Sequence, residues 1–180
     1  MKCRQNIVPW LLLVGLFTVL AGAGCPGGAR IVVPAADRPQ PELGEPLRRL
    51  DGTSTTLASY RGQILLVNFF ATDCIPCLDE VPDLLSLQRE LGERGLQVVG
   101  ISLDLQGALT VELFRERYGI GYPLLLASEP MFRRETPFGT LPGLPMTVLL
   151  DRRGRTAGWV LGRFDLARTR RAILELLAEQ

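Results

Sequence analysis

Histidine is absent from all 180 residues, and lysine occurs once, at Lys2. The first absence excludes Ser-His-Asp and Cys-His nucleophile systems and any histidine-ligated metal or haem site built by this chain alone. The second leaves no lysine outside the N-terminal segment for a Schiff base or a phosphate-binding loop. Excess charge is also missing: 20 basic residues face 19 acidic ones, and without Lys2 and Arg4 the remainder is 18 against 19. A nucleic-acid surface is not expected from that balance. The chemistry left to the chain must come from cysteines, carboxylates, arginines and hydroxyls. With 47% hydrophobic residues, the chain can bury the core of one ordinary domain.

Four cysteines are present, at positions 3, 25, 74 and 77. The first two belong to the N-terminal segment. Lys2 and Arg4 precede the apolar run from Ile7 to Ala23, which has the form of a secretory signal and is slightly short for a membrane span of about 20 residues. Three outcomes stay open: cleavage after Ala21-Gly22-Ala23, lipidation of Cys25 within a lipobox-like Gly22-Ala23-Gly24-Cys25, or retention as an anchor. Cys3 reads as a bystander thiol. Five prolines between Pro26 and Pro46, without hydrophobic periodicity, predict an extended tether. The expected organisation is therefore a signal or anchor over 1–25, a flexible tether over 26–42 and a folded domain over 43–180.

Within the domain, Leu43–Leu50 and Ser54–Leu57 around Asp51-Gly52 predict a β-hairpin. The runs 64–70 and 96–102 predict buried strands, with helices over 75–91 and 108–118; Pro82 is expected to kink the first helix. A strand over 122–127 follows, then an unpatterned stretch, 128–144. A hairpin of 146–150 with 155–161 about the turn Asp151–Gly154 and an amphipathic helix over 165–179 complete the chain. This order predicts an α/β domain with a mixed sheet covered on both faces.

Cys74-Ile75-Pro76-Cys77 stands where strand 64–70 passes into the first helix. A cysteine at a helix N-terminus has its thiolate stabilised by free N–H groups and the helix dipole, and a partner three residues on lies within disulfide reach. That pattern points to thiol–disulfide exchange. A fixed structural disulfide is the main alternative, although bridging residues three apart closes too short a loop to staple a fold effectively. Metal binding needs more ligands than this pair supplies, so no metal and no cofactor are expected.

Further pieces stand in a fixed order around the pair: Tyr60-Arg61-Gly62-Gln63, Leu66–Thr72, Glu80-Val81-Pro82, Val98–Asp104 and Gly143–Asp151. In that order and spacing the chain, from about residue 43 to 180, resembles the TlpA/ResA-like membrane-tethered thiol–disulfide oxidoreductases of bacteria, members of the thioredoxin superfamily. The resemblance implies a thioredoxin fold with an N-terminal β-hairpin extension. It implies Cys74 as the attacking thiolate, Cys77 as the resolving thiol, and a cis Pro145 that lines the site and lets Leu144 pair with substrate. Glu80 is implied as the carboxylate that tunes the cysteines, which suits a chain whose Asn68 replaces the buried aspartate common in thioredoxin-like proteins.

Two residues modulate these expectations. Pro76 removes an N–H from the turn, and the absence of a histidine between the cysteines predicts a reducing couple. Asp73 replaces the tryptophan usual before the first cysteine; it is expected either to cap the helix or to oppose thiolate formation at Cys74 by its charge. The implied partners are protein disulfides, apocytochrome c cysteines among the possibilities, and a membrane-embedded or other thiol electron donor. The implied location is the extracytoplasmic side of a bacterial cell envelope. Two other function classes remain in view. A thiol peroxidase would carry threonine three residues before its cysteine, where this chain has Ala71; a redox-sluggish binding module is the reading that Asp73 motivates.

Overall fold

The computed structural model describes residues 35–179. The apolar N-terminal segment, Cys3 and Cys25 lie outside the described residues. Among the described residues no helix is long and apolar enough to cross a membrane.

A short hairpin, β1 (Leu47–Arg49) and β2 (Ser54–Thr55), opens the fold. The core strand β3 (Ile64–Phe70) leads into α1 (Ile75–Leu78) and α2 (Val81–Leu91). Next come β4 (Leu96–Ser102), α3 (Ala108–Tyr118) and β5 (Leu124–Leu126). The unpatterned stretch contains one helical turn, α4 (Glu129–Phe132), and a two-rung ribbon of β6 (Glu135–Thr136) with β7 (Gly139–Thr140). The antiparallel pair β8 (Met146–Leu150) and β9 (Thr156–Leu161) precedes α5 (Leu166–Ala178).

Seven strands form one mixed sheet in the order β2-β1-β5-β4-β3-β8-β9. β3 is parallel to β4 and antiparallel to β8, with Asn68 opposite both Gly100 and Thr147. All seven residues of β3 are buried, as expected for a central strand covered on both faces. Its Ile64, Leu66 and Phe70 pack with α2, α3 and α5, while Leu65, Val67 and Phe69 pack with Leu43, Leu57, Met131 and Leu141. Gly100 is required by close approach: a Cβ there would stand 2.6 Å from Leu124 Cδ2 and 3.0 Å from Phe70 Cε1.

One helix expected over 75–91 is two. Pro82 has no N–H to continue the ladder from α1, so the chain breaks at Asp79-Glu80 and restarts with Pro82 in the first turn of α2, where that N–H is not needed. The domain also begins ahead of residue 43. Arg38, 7% exposed, bonds Asp151 Oδ2 at 3.2 Å and the Glu179 carboxylate at 2.6 and 2.7 Å, and Pro39 accepts from Thr156 N at 2.9 Å. Part of the stretch expected as tether, 36–42, is thus held against the turn between β8 and β9 and the end of α5. Burial pushes Asp151 upward, but hydrogen bonds from the Arg155 backbone and side chain and from Arg38 outweigh it and hold its pKa below the ordinary carboxylate value.

Candidate active site

The cysteine pair lies just beyond the end of β3, between a braced loop and a break in a helix. Phe70 is the last residue of β3, and its carbonyl accepts from Leu103 N at 2.9 Å. Asp104 then takes the Thr72 N–H on both oxygens at 3.1 Å, the Thr72 hydroxyl at 2.5 Å and the Ser102 hydroxyl at 2.6 Å. This side chain is 7% exposed and ties the loop two residues before Cys74 to the end of β4.

Cys74 is itself the N-cap of α1, with extended backbone, and Ile75 and Pro76 form the first two helical positions. Cys74 and Cys77 are joined in a disulfide, their Cα atoms 5.2 Å apart. Cys77 is 3% exposed, whereas Cys74 is half-buried and its neighbours Ile75 and Pro76 are exposed. An incoming group therefore reaches the sulfur of Cys74 before that of Cys77.

Asp73 does not cap the helix: the cap position is taken by Cys74, and no side-chain cap bond forms there. The reason is local. A cap at Asp73 would take the N–H of the residue two or three further on, and the third, Pro76, has none. Asp73 stands exposed beside the pair. α1 is a single turn, so its dipole supports a Cys74 thiolate less than an unbroken 17-residue helix would.

Three residues after Cys77 stands a buried carboxyl. The break between α1 and α2 places Glu80 at 0% exposure, its N–H on the Cys77 carbonyl at 3.2 Å. Asn68 Nδ2 donates to Glu80 Oε2 at 3.0 Å and to Thr147 Oγ1 at 3.0 Å, and the Phe164 N–H donates to Glu80 Oε1 at 2.8 Å. Burial pushes the Glu80 pKa up to about 7, against the opposing pull of the Phe164 and Asn68 hydrogen bonds and of Arg163. A carboxyl poised there can hold or release a proton near neutral pH.

Leu144–Pro145 is a cis peptide bond. Met146 pairs with Phe69, so Pro145 comes to the end of the sheet from which the chain runs into Cys74. Leu144 and Cys74 are partly buried against the same apolar cluster, and the Pro145 carbonyl accepts from Gly162 N at 2.8 Å. The structure thus gathers Cys74, Cys77, Glu80, Leu144 and Pro145 at one pole, with Pro76 and Asp73 on the rim. Thr147, Phe164 and Asp104 were not legible as site residues in the sequence. Thr147 and Asp104 do lie inside the motif pieces that mark the family, and Phe164 contributes only a backbone group. Among the described residues no three Cys, Asp or Glu side chains gather as a metal-ligand set.

Fold and site together define a thioredoxin-fold protein carrying a vicinal cysteine redox pair. Comparison with known proteins agrees. The AhpC/TSA family profile matches residues 37–158. A thiol-disulfide oxidoreductase ResA of Halalkalibacterium halodurans is 31% identical over 124 residues, covering 66% of this chain and 68% of that protein. The ResA of Geobacillus thermodenitrificans is 29% identical over 116 residues, 64% of each chain, so the chain spans about two thirds of these relatives. Among solved structures, a thioredoxin-family thiol:disulfide interchange protein from Chlorobium tepidum superposes with TM-score 0.68 at 31% identity, covering 78% of this chain and 98% of that one. A secreted thiol-disulfide isomerase from Corynebacterium glutamicum gives 0.75 at 25% identity, covering 87% and 97%. The chain belongs to the AhpC/TSA family of thioredoxin-like proteins and, within it, to the ResA-like thiol–disulfide oxidoreductases.

Proposed function

We propose that this protein reduces disulfides in extracytoplasmic proteins through the Cys74/Cys77 dithiol. The observation that carries the reading is the asymmetry of the pair: a half-buried Cys74 and a buried Cys77, followed three residues on by the buried carboxyl of Glu80. In the reduced protein the Cys74 thiolate attacks a substrate disulfide, forming a mixed disulfide and expelling one substrate thiolate. Cys77, deprotonated, then attacks Cys74 Sγ; the intramolecular disulfide forms and the second substrate sulfur leaves, taking a proton. Glu80 holds the proton that Cys77 gives up, because its pKa lies near neutral pH. Leu144 and the cis Pro145 seat an extended substrate segment beside Cys74.

The reducing direction follows from the residues between the cysteines. Ile75 and Pro76 provide no cation to favour the thiolate of the reduced form, and Asp73 adds a negative charge beside it. Titration against glutathione or dithiothreitol buffers is expected to give a potential nearer about −270 mV than about −120 mV. A value at the oxidising end would reverse the assigned direction.

The protein works on the extracytoplasmic side of a bacterial cell envelope, tethered through a lipidated Cys25 or a retained N-terminal segment, with a membrane-embedded or other thiol donor re-reducing the pair. Apocytochrome c cysteines fit as substrates in that location. The support is the basic-then-apolar segment ending at Cys25 and the family relationship. Mass spectrometry of the mature protein is expected to find a diacylglyceryl-modified Cys25 at the N-terminus; an unmodified chain beginning at Gly24 would remove the lipid anchor.

A further inference from the structure

The two protonation states of Glu80 make opposite demands on their surroundings. Ionised, the carboxylate only accepts hydrogen bonds; protonated, it also needs an acceptor for its O–H. Phe164 contacts Oε1 with a backbone N–H, which can only donate. At Oε2 the neighbour is Asn68, an amide that carries both a donor and an acceptor. In the arrangement seen, both N–H bonds of Asn68 Nδ2 are spent, one on Glu80 and one on the Thr147 hydroxyl oxygen. All three side chains are at most 3% exposed, so water does not readily replace a lost partner.

A half-turn of the Asn68 amide exchanges Nδ2 and Oδ1. The oxygen then faces the same two groups, accepting the Glu80 O–H on one side and the Thr147 O–H on the other. Thr147 serves both arrangements because a hydroxyl donates or accepts by rotating its hydrogen. Glu80 and Thr147 thus keep Asn68 as their partner in either state, while the turned amide carries its N–H groups to the side its oxygen faced. An aspartate at 68 would add a second buried carboxyl competing for the proton, and an aliphatic residue would satisfy neither state.

We propose that Asn68 is a positioning residue that keeps Glu80 hydrogen-bonded in both of its protonation states through a half-turn of its amide, with Thr147 as the hydroxyl partner that permits the turn. The proposal rests on the reading that Glu80 exchanges a proton with the cysteine pair. The other groups bearing on Glu80 are Arg163, which favours its charge, Asp83 at the start of α2, which opposes it, and buried Tyr122, whose own ionisation Glu80 opposes. None of these changes between the variants below.

The test is nuclear magnetic resonance on the oxidised full-length protein in detergent, where the cysteines do not titrate. In the wild type the Asn68 side-chain amide resonances are expected to shift with pH at the midpoint of the Glu80 carboxyl carbon. Thr147→Val orphans one Asn68 N–H only when Glu80 is ionised, so the midpoint rises by about one unit; Thr147→Ser restores it. Asn68 resonances that ignore the Glu80 midpoint, or a midpoint unmoved by Thr147→Val, would overturn the proposal. If Thr147→Val fails to fold, the wild-type Asn68 titration decides alone. These midpoints are read without turnover, so a protein that shows them and yet fails to reduce insulin keeps the amide turn and loses only its redox assignment.

Discussion

Replacing Cys74 with serine is expected to abolish protein-disulfide reduction, a loss of at least about 10³-fold in turnover of insulin, because among the described residues the one remaining thiol, Cys77, is buried. Cys77→Ala also stops turnover, but by a different route. The half-buried Cys74 still attacks, and the product stalls as a mixed disulfide because the resolving sulfur is gone. The two variants therefore look alike in steady state and differ in what accumulates. Equal accumulation from Cys74→Ala, through Cys77, would contradict the assignment of roles, since Cys77 is 3% exposed behind its neighbour.

Glu80→Gln changes the pH dependence of stability more than any other single replacement at the site. Unfolded, this carboxyl titrates at 4.5; folded, burial raises it to about 7. Between those values the folded protein keeps a proton that the unfolded chain has released. Its contribution to stability is therefore fully present below about pH 4.5, falls as pH rises through the interval, and is flat above about 7. The span corresponds to about 3 kcal/mol. Urea unfolding of the oxidised protein is expected to show that decline between pH 5 and 7 in the wild type and a flat profile in Glu80→Gln. Oxidation keeps the cysteines from titrating, and Asp151 and Glu179, whose pKa values are lowered by their arginines, act below this window. A wild-type profile that is flat or rises over the interval would show that Glu80 is not a buried acid.

The parts of the fold that declare themselves in the sequence are those with a strong local period. β3 and β4 are predominantly apolar stretches with the bounds predicted for them, and α3 and β8 fall where expected. The stretch 128–144 has no period to read, because α4 and the β6–β7 ribbon are each too short to show one and Met131 and Leu141 are placed by packing against the sheet face. The reading of 36–42 as free tether overlooks Arg38, whose two carboxylate partners are 113 and 141 residues away.

At the site, the cysteine pair, Glu80 and cis Pro145 were legible because spacing and motif order mark them. Burial of Glu80 was not: three residues after Cys77 it reads as a carboxylate on one helix face, and only the break ahead of Pro82 turns it into the interior. The hydroxyl of Thr147 lies 79 residues from Asn68, and the donor at Phe164 is a backbone N–H that any residue but proline would supply. Asp73 shows the opposite limit. Its identity suggests a cap, but the helix starts one residue later, with Cys74 at the cap position, and Pro76 has no N–H to give.

The central claim is that Cys74 is the attacking sulfur of an exchange site. Its most direct test is the intact mass of reduced Cys77→Ala after brief exposure to insulin, followed by peptide mapping of the adduct. One insulin chain in disulfide linkage to Cys74 is the predicted result. An unmodified protein, under conditions where the wild type reduces insulin, would contradict it.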